Sequence, residues 1–296
     1  GGLLIVGALL ILFMTAPVTV GGLGYDATSA GSVYGLYTFG VYALALPGGW
    51  VADRLIGQRR AVLVGGVIIA AGHYTLAVPT LSTFYLGLIL VVLGTGLLKP
   101  NVSAIVADLY PEGGARRDAG FSIFYMGINI GALLGTTVCP FLGEKISWHL
   151  GFSAAGIGMT LGLIQYVWGG RHLGTAGGLK GDAQVAAVRS QAWRTFFFGI
   201  ATVTAIAVAL VGLSSGGIIP LTLLGFVDAT GYLTVGLATA YFTYVILFGG
   251  LSTMEQKRVG VIAILFVGAA MFWAGFEQAG SAFNLFALDH TNRMMF

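Results

Sequence analysis

Charged positions along this chain are sparse and clustered, and long apolar runs separate the clusters. No Asp, Glu, Lys or Arg occurs before Asp26, between Arg60 and Lys99, or between Asp118 and Glu144. Each run matches or exceeds the roughly 20 residues a helix needs to cross the hydrocarbon core of a bilayer. Strands of an outer-membrane barrel would alternate apolar and polar residues over about ten positions; these runs do not. The pattern predicts nine helical spans, at about residues 1–17, 28–52, 61–79, 84–107, 119–143, 150–169, 195–213, 232–250 and 259–287. The first run has no charged flank and no basic n-region. It therefore reads as the interior of a helix and not as a signal peptide.

Basic residues set the orientation. Arg54, Arg59 and Arg60 follow the second span, and Arg116 and Arg117 follow the fourth. Arg171, Lys180, Arg189 and Arg194 follow the sixth, and Lys257 and Arg258 follow the eighth. All eleven fall on one side, against Lys145 and Arg293 on the other, and the excess marks the cytoplasmic face. The polar stretch 171–194 reads as a cytoplasmic linker. It divides a six-helix bundle over 1–170 from an additional helix pair over 195–258 and a last span over 259–296. A six-span block followed by a basic linker is the shape of one half of a two-half transporter, whose substrate binds between the halves.

Composition narrows the class further. Hydrophobic residues make up 57% of the 296 and charged residues 8%, with a mean hydropathy of +0.91. Soluble domains carry about a quarter charged residues, so a soluble enzyme, a nucleic-acid binder and a disordered scaffold are excluded. The net charge of +3 is explained by the cytoplasmic loops. The single cysteine, Cys139, lies in an apolar run and suits a small core residue. His73, His149, His172 and His290 show no metal-ligand spacing, and no cofactor is expected. The 48 glycines have no three-residue period; in a membrane they let helices approach closely and move against one another.

Several residues carry candidate chemistry. The loop after the second span reads Gly49-Trp50-Val51-Ala52-Asp53-Arg54-Leu55-Ile56-Gly57-Gln58-Arg59-Arg60. Here Gly49 and Gly57 permit close approach and a tight turn, and Asp53 can meet a helix end or an arginine. An ordinary positive-inside loop is the plainer reading. Lys99, beside Pro100, lies about nine residues or 13 Å from Asp108 at the helix end, too deep for easy snorkelling. Glu277 has eighteen uncharged residues before it and eleven after. Ionisable groups at that depth face a cavity or a partner, and a carboxyl there is a group that a proton can neutralise. Asn129 can donate to and accept from a peptide-like ligand, or bond within the helix bundle. Tyr42 and Trp273, taken alone, suit core positions.

Four stretches together resemble the proton-dependent oligopeptide transporter family of the major facilitator superfamily. They are Gly48–Gly57, Gly96-Leu97-Leu98-Lys99-Pro100-Asn101, Phe124–Gly131 around Asn129, and Phe272–Ser281 around Trp273 and Glu277. Their order and spacing hold over nearly the whole chain. The two spans before the ninth are similar to the extra helix pair of bacterial members, and the ninth to the family's seventh helix. The resemblance implies an all-α multi-pass protein of the inner membrane that imports di- and tripeptides with protons by alternating access, in contact with lipid and with no nucleic acid. It implies that Lys99 meets the substrate carboxylate, that Tyr42, Asn129 and Trp273 line the pocket, and that Glu277 is the proton-responsive group. Gly49, Asp53, Arg54, Gly57, Arg59 and Arg60 form the conformational motif.

Two departures stand beside the resemblance. The family's first helix carries an E-x-x-E-R signature, whereas Gly1–Gly7 holds no acid, arginine or tyrosine. About five further helices of the second half are expected beyond Phe296, and with them an acidic partner for Lys99. Transport of another solute, such as nitrate or an amino acid, and a non-transporting remnant therefore remain as alternatives. An enzyme is not expected, because no nucleophile–base pair, metal cluster or phosphate loop is present.

Overall fold

The computed structural model describes residues 2–291; the side chains of residues 1–6 and 8 fall outside that description. The stretch compared with the E-x-x-E-R signature thus lies largely outside the described residues, as does Arg293. The architecture is all helical: α1 Gly2–Thr15, α2 Ala27–Ala43, α3 Ala45–Val51, α4 Gln58–Leu76, α5 Leu81–Asp108, α6 Gly114–Lys145, α7 Trp148–Gly169, α8 Ala186–Ser215, α9 Leu223–Phe248, α10 Thr253–Phe276 and α11 Ala282–His290. Among the described residues, six stretches are long and apolar enough to cross a membrane: α5, α6, α7 with the turn that follows it, α8, α9, and α10 with its following turn.

Local chemistry sets the helix ends. The Asp26 carboxylate caps α2 by accepting from the Thr28 and Ser29 backbone N–H groups, each at 2.9 Å. Thr80 caps α5. Ser252 and Glu255 form a reciprocal capping box on α10, which satisfies two of the N–H groups a helix start leaves unpaired.

The second predicted span is two helices. α2 ends at Ala43 with Leu44 as its C-cap, and α3 runs from Ala45 into a wide turn at Ala52–Ile56. Pro47 sits at the third position of α3, where its missing N–H costs no helical bond. Gly57 then ends the segment at φ 82°, in the left-handed region that glycine enters freely.

The ninth predicted span is also broken. α10 stops at Phe276, a single 3-10 turn covers Glu277–Gly280, and α11 begins at Ala282. The predicted linker 171–194 is shorter than expected, because α8 already starts at Ala186.

The core lies among α1, α2, α4, α5 and α7. Phe13 is its centre, with ring centroids 5.4 Å from Phe152, 5.6 Å from Phe84 and 5.9 Å from Trp148. α4 and α5 touch backbone to backbone. A Cβ at Gly65 would lie 2.6 Å from the Gly94 carbonyl oxygen, and one at Gly72 would lie 2.9 Å from that of Gly87. Such contacts are available only to small residues. By contrast, α9 and α10 bury none of their residues and α8 only Ala192. Helices apolar on every face suit lipid or further protein.

Candidate functional site

Three residues of distant sequence meet at the break after α10. Tyr42 stands on the last turn of α2, Lys99 precedes Pro100 inside α5, and Glu277 opens the 3-10 turn. The Tyr42 hydroxyl donates to Glu277 Oε1 at 2.9 Å. The Lys99 ammonium lies 3.9 Å from the centroid of the same ring. Tyr42 therefore holds a cation on its face and an anion at its rim. A cation over an aromatic face is worth about 0.5–2 kcal/mol, depending on desolvation. Lys99 and Glu277 also attract each other electrostatically. An acidic partner for Lys99 is expected on further helices; among the described residues Lys99 forms no ion pair, and Glu277 acts on it from beyond the Tyr42 ring.

The helix interruptions explain the geometry. Pro100 cannot donate to the Gly96 carbonyl, and that carbonyl packs directly against Gly48, where a Cβ would not fit. Asn101, buried beside it, donates to Leu97 O at 2.7 Å and to Gly48 O at 3.3 Å, and so ties α5 to α3. Lys99 is held beside the end of α2 as a result. The break at Glu277 turns its carboxylate toward the same end.

Sequence reasoning missed Tyr34. It is 6% exposed and packs between Gly7 of α1 and Gly280 of the turn. The available signal was the spacing Tyr34, Thr38, Tyr42, an i, i+4, i+8 stripe on one face of α2.

The other predicted pocket residues stand apart from this cluster. Asn129 is exposed on α6 and donates to its own helix at Tyr125 O, 2.8 Å away. Trp273 is half exposed on α10, edge-on to Phe272 and Phe276 at 5.6 and 5.2 Å.

The motif residues sit between α3 and α4, against the segment that follows α7. Arg59 donates to Gly170 O at 2.6 Å and to Gly174 O at 2.9 Å, and its backbone N–H donates to Gly177 O at 2.9 Å. The Gly177 N–H in turn donates to Asp108, which is paired with Lys180. Gly57 is buried against this segment, so that a Cβ there would meet Gly177 O at 3.3 Å. Asp53 accepts from Gln58 at 3.3 Å. Asp53, Arg54, Gln58 and Lys180 line a cavity of about 350 Å³. Arg60 is exposed, and no atom lies near the Cβ position of Gly49.

Helices long and apolar enough to cross a membrane, together with a likeness to solved transporters, make this an integral membrane protein with part of a major facilitator fold. The chain belongs to the POT family, whose model matches residues 59–295. It is 38% identical over 295 residues to Peptide transporter YePEPT of Yersinia enterocolitica, covering 97% of this chain and 57% of the relative. To the Di-/tripeptide transporter of Lactococcus lactis it is 32% identical over 293 residues, covering 96% and 57%. Among solved structures it is similar to a peptide transporter POT in complex with sulfate, at 39% identity and TM-score 0.89, covering 98% of this chain and 58% of that one. A POT family transporter in complex with 5-aminolevulinic acid matches at 33% identity and TM-score 0.83, covering 97% and 58%. The chain thus spans a little over half the length of these relatives.

Proposed function

We propose that this chain carries the proton- and peptide-handling face of an inner-membrane symporter that imports di- and tripeptides by alternating access. The observation that carries the reading is the Lys99–Tyr42–Glu277 cluster, which joins α2 and α5 to the break after α10. The names of the relatives, peptide transporter and di-/tripeptide transporter, support the substrate class.

The chemistry follows from charge. With Glu277 ionised, its carboxylate accepts from Tyr42 and offsets Lys99. A proton on Glu277 weakens the Tyr42 bond and removes the counter-charge. Lys99 then has only an aromatic face against it, and a peptide carboxylate replaces the lost anion. Proton and peptide therefore favour each other's binding, which is the linkage a symporter needs. Release of the Glu277 contact also frees the turn at the end of α10 from α2, a local charge change with a conformational readout. Asn129 and Trp273 complete the substrate contacts in this reading. The motif from Gly49 to Arg60 governs movement at the cytoplasmic end.

The test is uptake of labelled dialanine into proteoliposomes under an inward proton gradient. Glu277→Gln is expected to abolish gradient-driven uptake while sparing exchange, and Lys99→Ala to abolish both. Wild-type uptake by both variants would overturn the reading. The POT relative bound to 5-aminolevulinic acid favours one second reading, an amino-acid-like solute. In that case 5-aminolevulinic acid competes for uptake and dialanine does not.

A further inference from the structure

We infer that Tyr34 is a positioning residue: it sets the place of the Glu277 turn by packing its hydroxyl into the gap left by Gly280. The inference rests on the role proposed for Glu277. Gly280 is the buried residue of the 277–280 turn. A Cβ at Gly280 would fall on the Tyr34 hydroxyl and 3.1 Å from Cζ of its ring. On the other side, a Cβ at Gly7 would lie 2.9 Å from the same hydroxyl. Gly280 does not take a positive φ. Its missing side chain is therefore needed for the approach of Tyr34 and not for the backbone.

The consequence reaches Glu277 through geometry. Tyr34 and Tyr42 are eight residues apart on α2, about 12 Å along its axis. α2 therefore grips the turn at two points, with Tyr42 on the Glu277 carboxylate and Tyr34 against Gly280, three residues further on. A side chain at 280 would push the turn off α2 and pull Glu277 from Tyr42. No hydrogen bond joins Tyr34 to the Glu277 carboxylate or the Lys99 ammonium, although the Glu277 charge reaches it; it acts through the turn.

The collision is with a hydroxyl, so it can be relieved by removing one atom. Gly280→Ala is expected to lower gradient-driven dialanine uptake by about tenfold or more, as displacements near 1 Å do at reacting groups. Tyr34→Phe, which keeps the ring but empties the gap, should lower uptake measurably yet by less than Gly280→Ala, by about threefold. Tyr34→Phe/Gly280→Ala should return to the level of Tyr34→Phe. A second readout is independent of transport: the ¹⁹F resonance of 3-fluorotyrosine placed at position 42 of the purified protein. Glu277→Gln fixes the signal of a lost contact. Gly280→Ala should move the resonance toward it, and the double variant should move it back. If Gly280→Ala does not fold, recovery of folded protein on adding Tyr34→Phe reads the same coupling. An unmoved resonance in Gly280→Ala, or no rescue by Tyr34→Phe, overturns the inference. The expected resonance pattern in a protein that takes up no dialanine supports the Tyr34 coupling and defeats the transport reading instead.

Discussion

The Tyr42 hydroxyl donates to Glu277 Oε1 at 2.9 Å across 235 residues of sequence. Tyr42→Phe deletes that donor and keeps the ring under Lys99. A hydrogen bond to a charged group contributes about 1.5–3 kcal/mol, so gradient-driven dialanine uptake should fall by about tenfold or more. Dialanine exchange, which survives in Glu277→Gln, should be changed little further by adding Tyr42→Phe, because the two residues act as a pair. Additive losses in the double variant would show that the bond is not part of coupling.

Lys99 makes a different demand on the site. Its ammonium rests on the Tyr42 ring and belongs, in the proposed cycle, to the peptide carboxylate. Lys99→Met keeps the length and removes the charge. Dialanine binding, measured by calorimetry at acid pH, should be lost by about tenfold or more, since an ionic hydrogen bond is at stake. Lys99→Arg should retain part of it. Full binding by Lys99→Met would place the peptide carboxylate elsewhere.

The helices were legible because each apolar run is long and its ends are marked by charge, proline or a capping residue. The breaks were not. The interruption at Glu277 coincides with a close contact between Gly280 and Tyr34 on another helix, which the local sequence does not show. Lys99 and Glu277 stood out because charge is rare in such runs. Tyr42 became specific only when its ring and hydroxyl were found between them. Tyr34 looked like any core aromatic. The role of Arg59 was hidden for a related reason: its partners are backbone carbonyls of Gly170 and Gly174, which leave no trace in side-chain identity.

The close contact of α4 with α5 makes a prediction about stability. Gly65→Ala would place a Cβ 2.6 Å from Gly94 O and 2.9 Å from Leu98 N, against backbone that cannot swing aside. Overpacking of this kind costs about 1–3 kcal/mol. Nothing lies within 4 Å of a Cβ at Gly35 on α2, so Gly35→Ala serves as the control. Thermal unfolding in detergent should show Gly65→Ala melting lower and Gly35→Ala unchanged or higher.

The cap at Asp26 gives a pH dependence. The Ser29 hydroxyl bond first, then the Ser29 backbone N–H and, after an opposing desolvation, the Thr28 backbone N–H hold its carboxyl below the ordinary aspartate value. A depressed folded pKa means the stabilisation is present above the ordinary value and is lost as pH falls through the folded one. The melting temperature should therefore carry an acid-side decline that Asp26→Asn removes, since an amide still accepts as a cap but does not titrate there. An identical decline in Asp26→Asn would assign it to other carboxyl groups.

Arg59 fixes the segment that leads into α8. Its guanidinium satisfies two carbonyls, those of Gly170 and Gly174, while the Asp108–Lys180 pair holds the segment from the other side. The Lys180 side chain is 62% exposed, so that pair contributes about 0–1 kcal/mol. The Arg59 bonds bring a full charge to two backbone carbonyls, and each is worth about 1.5–3 kcal/mol. Arg59→Ala should therefore speed amide exchange across residues 170–184 by about tenfold or more, and Lys180→Ala far less. Arg60→Ala, whose side chain is exposed, tests whether charge alone matters. If Arg60→Ala loosens the segment as much as Arg59→Ala, the effect is the net charge of the loop and not the bonds to Gly170 and Gly174.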